Sequence, residues 1–161
     1  KVEGHRIMQI SFGRAVPTDV DTLVKAQIAA FHHDSVLYPD VEIGGPPGYD
    51  SVEDTLDKLQ DSLYYTILCD GQIVGGMVVY DMGEGRVHLD LIYIVPAYQG
   101  TGIGSQAMDF LEQTYAVATR WTLDTPSWAV RNQHFYEKFG YVKMGEHPAD
   151  DIILFAYEKR V

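Results

Sequence analysis

The run Val95-Pro96-Ala97-Tyr98-Gln99-Gly100-Thr101-Gly102-Ile103-Gly104-Ser105 makes a hydrophobic strand end, turn through three glycines and restart as a helix. Glycines at 100, 102 and 104 let successive backbone N–H groups point into one concavity, and the helix that follows adds the partial positive charge of its N-terminus. Such a turn is built for an anion, and a pyrophosphate is its natural occupant. The ATP/GTP loop needs Gly-x4-Gly-Lys followed by Ser or Thr, and no Lys lies between Tyr98 and Phe110. The dinucleotide fingerprint finds a formal match in Gly102, Gly104 and Ala107, with Asp124 further on. That fingerprint places its first glycine at the very end of the first strand of a βαβ unit. Here Pro96 to Thr101 intervene, and the preceding segments read as antiparallel hairpins.

Strand and helix signals extend on both sides of this turn, without linkers or repeats. Residues 1–7, before Met8, read as an appended remnant or a mobile start, which leaves 8–161 as a single domain. Gln9 to Arg14 reads as a strand. Thr18, with Asp21 three residues on, caps a helix whose apolar positions run from Val20 to Phe31. Tyr38 to Tyr49, rich in proline and glycine, is a loop, and Ser51-x-x-Asp54 caps a second helix. From Tyr64 the period becomes two: Tyr64 to Cys69, an Asp70-Gly71 turn, Gln72 to Tyr80, a turn at 82–85, then Arg86 to Val95. Ile103, Ala107, Phe110, Leu111 and Tyr115 stripe the next helix. Trp121 to Asp124, a helix from about Trp128 to Lys138 that ends at Gly140, and strands at 141–145 and 152–159 complete an α+β order.

Composition narrows the function classes. The 161 residues, 46% hydrophobic and 12% aromatic, are enough for one core and contain no apolar run near the ~20 residues of a membrane span. A formal net charge of -11 argues against a nucleic-acid surface and mildly favours a cationic substrate. The six histidines lack ligand spacing, so no metal site is expected. The single cysteine, Cys69, allows no internal disulfide and sits in an alternating strand as a small core residue. A soluble, cytoplasmic protein that engages neither membrane nor nucleic acid is the expectation.

Gln99, Gly102 and Gly104 spell Gln-x-x-Gly-x-Gly after a strand-Pro step, and this resembles the pyrophosphate loop of the GNAT superfamily of N-acetyltransferases. Downstream, Asn132-Gln-His-Phe135-Tyr136-Glu-Lys-Phe139-Gly140-Tyr141 is similar to that family's Phe-Tyr-x-x-x-Gly-aromatic segment, and Ile152 to Lys159 resembles its closing strand. The resemblance covers roughly residues 10 to 159. It implies a three-layer α+β fold: a mixed, largely antiparallel, twisted seven-stranded sheet flanked by about four helices. It also implies acetyl-CoA as cosubstrate, held by Gln99, Gly100, Thr101, Gly102, Ile103, Gly104, Ser105 and Asn132. Main-chain groups of Ile92, Tyr93 and Ile94 would serve the pantetheine arm where the strand splays. Many relatives carry an Asn seven residues before the tyrosine, where this chain has Ala129. Asn132 therefore has a second reading, as a residue that caps or stabilises the start of its helix.

Acetyl transfer to an amine needs a base, an oxyanion donor and an acid. Strand alternation groups His88, Asp90, Ile92 and Ile94 on one face, and the family often places a water-mediated proton acceptor at such a position. Asp90 is the first candidate and His88 the second; the alternative is a solvated strand start. A backbone amide between Ile92 and Ile94 would meet the oxyanion. Tyr136 is the candidate acid, with Phe135 and Phe139 assigned to packing. The acceptor, a small-molecule or peptide amine, is expected between the 38–49 loop, the second helix and a rim at Tyr80 to Gly85, with Tyr38, Tyr49, Glu42, Asp50 and Glu53 as walls and carboxylates. Relatives often form dimers, so a homodimer through the C-terminal edge strands is a further expectation. A non-catalytic acyl-CoA-binding or sensing domain is the competing function.

Overall fold

A computed structural model describes residues 7–161; residues 1–6, most of the segment set aside above, lie outside the described residues. Seven strands form one sheet in the order β1-β2-β3-β4-β5-β7-β6. They are β1 (Ile10–Arg14), β2 (Leu63–Cys69), β3 (Gln72–Gly83), β4 (Arg86–Ile94), β5 (Arg120–Pro126), β6 (Val142–Ala149) and β7 (Ile152–Arg160). All neighbours are antiparallel except β4 and β5, which run parallel and are joined through helix α4 (Ile103–Thr114). The remaining helices are α1 (Val20–His32), α2 (Asp34–Leu37), α3 (Val52–Asp61) and α5 (Val130–Lys138). The sheet is therefore mixed and largely antiparallel.

Alternation along the strands divides the core into two layers. Tyr65, Ile67, Cys69, Met77 and Val79 meet Ile103, Ala107, Met108 and Leu111 of α4 on one face. On the other, Tyr64 and Val78 meet Leu23, Ala26 and Ala30 of α1. At about 1.5–3 kcal/mol per fully buried large apolar side chain, these layers supply the main drive to fold. Local chemistry sets the boundaries. Asp70 and Gly71 adopt φ of 50° and 82°, the left-handed pair that a two-residue hairpin turn demands. The Ser51 hydroxyl accepts the Asp54 N–H at 3.1 Å, as the capping pattern predicts.

Thr18 does not cap α1. A single 3₁₀ turn over Pro17–Asp19 precedes that helix, and the Asp19 carboxylate instead accepts the Val16 N–H at 2.9 Å. Pro17 favours this tight turn because its fixed φ and missing donor suit a first helical position. The other departure is α2, one turn of helix within a region that shows no helical period. Cys69 is free and buried, as core packing predicts.

Candidate active site

The site begins with an irregularity in β4. Adjacent residues Val78 and Val79 of β3 face Leu91 and Leu89, so Asp90 is an extra residue, a β-bulge. On its other side β4 pairs with β5 only as far as Leu89↔Leu123. Past that point the strands part, and the main chain from Asp90 to Ile94 has no β5 partner. Unpaired backbone groups in a protein interior are costly, which makes this gap a place for a ligand that offers hydrogen bonds of its own. Gly75 lets β3 follow the bend: a Cβ there would lie 2.2 Å from the Tyr93 carbonyl oxygen.

The bulge corrects one expectation from alternation. Val87, Leu89, Ile92 and Ile94 pack with the α4 layer, whereas Leu91 and Tyr93 pack with the α1 layer. His88 and Asp90 thus do not share a face with Ile92 and Ile94, because the extra residue resets the two-residue period. Asp90 reaches toward α3, where its Oδ2 accepts from Lys58 Nζ at 2.9 Å. The His88 ring lies 2.8 Å from the Thr122 hydroxyl on β5.

Beyond Ile94 a 3₁₀ turn (Pro96–Tyr98) leads into the glycine loop. Gly100 and Gly102 have φ of 73° and 84°, and Gly102 is the N-cap of α4 without any side-chain cap. The first bond of that helix runs from the Gln106 N–H to the Gly102 carbonyl at 3.2 Å. The N–H groups of Ile103, Gly104 and Ser105 are left for a ligand, and no acidic side chain in the first turn competes for them. Gln99 Nε2 donates to the Ile94 carbonyl at 2.9 Å and ties the loop to the end of the splayed strand. The Thr101 hydroxyl donates to the Tyr98 carbonyl at 2.6 Å, and Ile103 is buried in the core. These two residues shape the loop through their side chains.

Loop and splay open into one cleft of about 560 Å³. Ile92, Tyr93, Ile94, Gln99, Gly100, Gly102, Gly104, Ser105, Asn132 and Tyr136 line it together; His88, Asp90, Thr101 and Ile103 do not. Tyr136 has its ring packed against Phe135, Tyr141 and Tyr157, and burial pushes its phenol well above the ordinary value. The hydroxyl makes no hydrogen bond to any described residue. It is therefore a protonated, unengaged donor facing the cleft. Asn132 does not start its helix: Ala129 is the N-cap of α5, and no side chain caps it. Phe135 both packs in the core and lines the cleft.

Sequence reasoning named Tyr38, which lines the cleft, but missed the residues beside it. Ala30, Phe31, Asp34 and Leu37 from α1 and α2 line the cleft, as does Arg131 at the start of α5. Tyr38 bridges the two sides, its ring 5.3 Å from that of Trp128 and its hydroxyl accepting the Arg131 N–H at 3.0 Å. Tyr49 stands behind this wall, 2.6 Å from the His32 ring nitrogen and edge-on to Phe31. Glu42, Asp50 and Glu53 are absent from the lining, and Tyr80 and Asp81 border a separate depression with Arg14 and Asp61. The sequence marks this wall by Tyr38 and by an acidic residue after the first helix; that they share a cleft with Tyr136 is a property of the fold.

Behind β4, the Tyr93 and Tyr64 hydroxyls share a hydrogen bond, and Tyr64 passes on to Gln27 Oε1 at 2.5 Å. Gln27 Nε2 donates to the Tyr49 carbonyl at 2.7 Å. This buried chain fixes the splayed strand to the segment before α3, where a rigid wall is needed.

The family model for the GNAT acetyltransferases matches residues 29–141, from the end of α1 to the end of the Phe-Tyr segment. The chain belongs to the GNAT acetyltransferase family. The uncharacterized protein YrkN of Bacillus subtilis is 34% identical over 100 residues, 62% of this chain and 54% of that protein. The match thus spans about half the length of that relative. The PaiA N-acetyltransferase of Thermoplasma acidophilum, solved in complex with coenzyme A, superimposes with a TM-score of 0.78 at 18% identity, covering 96% of this chain and all of that one. The ribosomal-protein-S18-alanine N-acetyltransferase of Escherichia coli does so with a TM-score of 0.74 at 12% identity, over 95% and 94% of the two chains. At those identities the likeness establishes the GNAT fold. Among the described residues no group of three or more His, Cys, Asp or Glu side chains could hold a metal ion, and no helix is long and apolar enough to cross a membrane.

Proposed function

We propose that this GNAT family member is a cytoplasmic N-acetyltransferase that moves an acetyl group from acetyl-CoA to a primary amine of a small molecule or peptide, by direct attack within a ternary complex. The carrying observation is convergence: the uncapped α4 N-terminus, the unpaired β4 main chain and the free Tyr136 phenol share one cleft. The diphosphate binds at Gly100 to Ser105, where N–H groups and the helix dipole meet negative charge. The Arg131 cation supplements them at the rim, and Asn132 offers an amide to the carrier. The amide-rich pantetheine arm replaces the missing β5 partner along Ile92 to Ile94.

With the thioester held there, a main-chain N–H between Ile92 and Ile94 stabilises charge that develops on the carbonyl oxygen. Tyr136, raised by burial, keeps its proton at neutral pH and delivers it to the departing thiolate. Asp90 and His88, outside the cleft lining, could accept the amine proton only through water. The test is free-thiol release from acetyl-CoA with a broad set of amines, alongside calorimetric binding of coenzyme A. Release that depends on one class of amine supports the transferase; tight binding with no amine turned over supports a sensing domain instead.

A further inference from the structure

We propose that Asp34 receives the acceptor's ammonium and takes its proton, in place of either strand residue. This rests on the transferase reading and adds the residue at the amine end of the same cleft. Asp34 opens α2 and lines the cleft beside Ala30, Phe31 and Leu37. No described side chain hydrogen-bonds or ion-pairs with its carboxylate. A half-buried carboxylate among apolar neighbours is costly until a cation arrives. Burial pushes Asp34 up to about 6, with His33 beside it pulling the other way. The group is therefore ionised at neutral pH yet basic enough to hold a proton.

The titratable or charged residues lining the cleft with Asp34 are Tyr38, Tyr93, Arg131 and Tyr136, and His33 adjoins it in sequence. Neither Arg131 nor His33 forms a salt bridge with it. Asp90, by contrast, is already neutralised by Lys58, and His88 is engaged with Thr122. The cleft thus has an anion-binding end at α4 and a cation-binding end at α2. A thioester between them is presented to an amine on the Asp34 side.

The ammonium gives one proton to an Asp34 carboxylate oxygen, and the freed lone pair forms the N–C bond at the thioester carbonyl carbon. Cleavage of the C–S bond leaves its electron pair on sulfur, which takes the Tyr136 proton. The second amine proton returns through solvent to the Tyr136 phenolate, and Asp34 releases its own to water. Ammonium and thioester become amide, thiol and one proton.

The experiment compares wild type, Asp34→Asn, Asp34→Glu and Asp90→Asn in kcat, KM and pH profile across the amine set, with coenzyme A affinity as the measure of an intact cleft. Wild-type kcat/KM should rise as pH increases through about 6, where Asp34 ionises. Asp34→Asn should lower kcat/KM by about 100-fold or more and abolish that limb. Its coenzyme A Kd should stay within about twofold, because in this reading the carrier's diphosphate is held by main-chain N–H groups of α4 and not by the Asp34 carboxylate. Asp34→Glu should recover part of the rate. Asp34→Asn within about threefold of wild type, or loss of the limb in Asp90→Asn instead, overturns the role. If Asp34→Asn loses coenzyme A binding, the wild-type profile decides, and the lack of a limb near 6 refutes the assignment. If wild type binds coenzyme A and acetylates nothing, the transferase reading fails and this inference with it; if wild type and Asp34→Asn are equally active, only Asp34 is acquitted.

Discussion

Replacing Tyr136 by Phe separates chemistry from packing, because the two parts of that side chain have different partners. The ring is held by Phe135, Tyr141 and Tyr157 at centroid distances of 5.5, 6.0 and 6.5 Å, and all three contacts survive the substitution. The hydroxyl has no partner to orphan among the described residues. Stability should therefore change by no more than about 0.5 kcal/mol. If the phenol protonates the thiolate, its loss should cost about 100- to 10,000-fold in kcat, roughly 3–5 kcal/mol of barrier. Coenzyme A affinity should barely move. Tyr64→Phe is the control. Its hydroxyl joins Gln27 to Tyr93 where Tyr64 is 1% exposed, so removal leaves buried polar groups unpaired. That should cost about 1–3 kcal/mol, a fall in Tm of about 2–12 °C for a chain of this size. Thermal unfolding and steady-state thiol release on both variants give the comparison. Tyr136→Phe that keeps turnover within about threefold, or that loses as much stability as Tyr64→Phe, would refute the assignment of the acid.

Gly102→Ala meets no atom within 4 Å, so its cost is the left-handed φ of 84° alone, about 1–2 kcal/mol. Because that residue caps α4, coenzyme A binding by calorimetry should weaken more than the unfolding temperature falls. Gly75→Ala should destabilise by about 3 kcal/mol in denaturant titration, since its Cβ would lie 2.2 Å from the Tyr93 carbonyl and no flexible side chain can yield.

Much of this architecture is legible in the chain because its signals are local. Asp70-Gly71 supplies the dihedrals of a two-residue turn, Ser51 and Asp54 bond as a cap, and Ile103, Ala107 and Leu111 keep helical spacing into the core. The glycine loop reads equally well, because three glycines between a strand and a helix leave few other conformations. What failed to read is what depends on residues distant in sequence. Tyr38 meets Trp128 and the Arg131 amide, and Asp34 of α2 and Tyr136 of α5 line one cleft. No short-range pattern encodes either meeting.

The bulge in β4 shows why a strand period misleads where function begins. Counting by twos from Ile94 places Asp90 and His88 on the face of Ile92 and Ile94, yet one unpaired residue shifts everything upstream to the opposite face. Two polar groups in an apolar strand then need no catalytic excuse: Lys58 of α3 and Thr122 of β5 satisfy them. The same extra residue bends β4 away from β5 and exposes the main chain that a pantetheine arm would meet. One insertion thus frees the β4 main chain beside the glycine loop and turns Asp90 to the face where Lys58 meets it. In the proposed reaction the amine's proton goes instead to Asp34, which lines the cleft with no ion-pair partner among the described side chains.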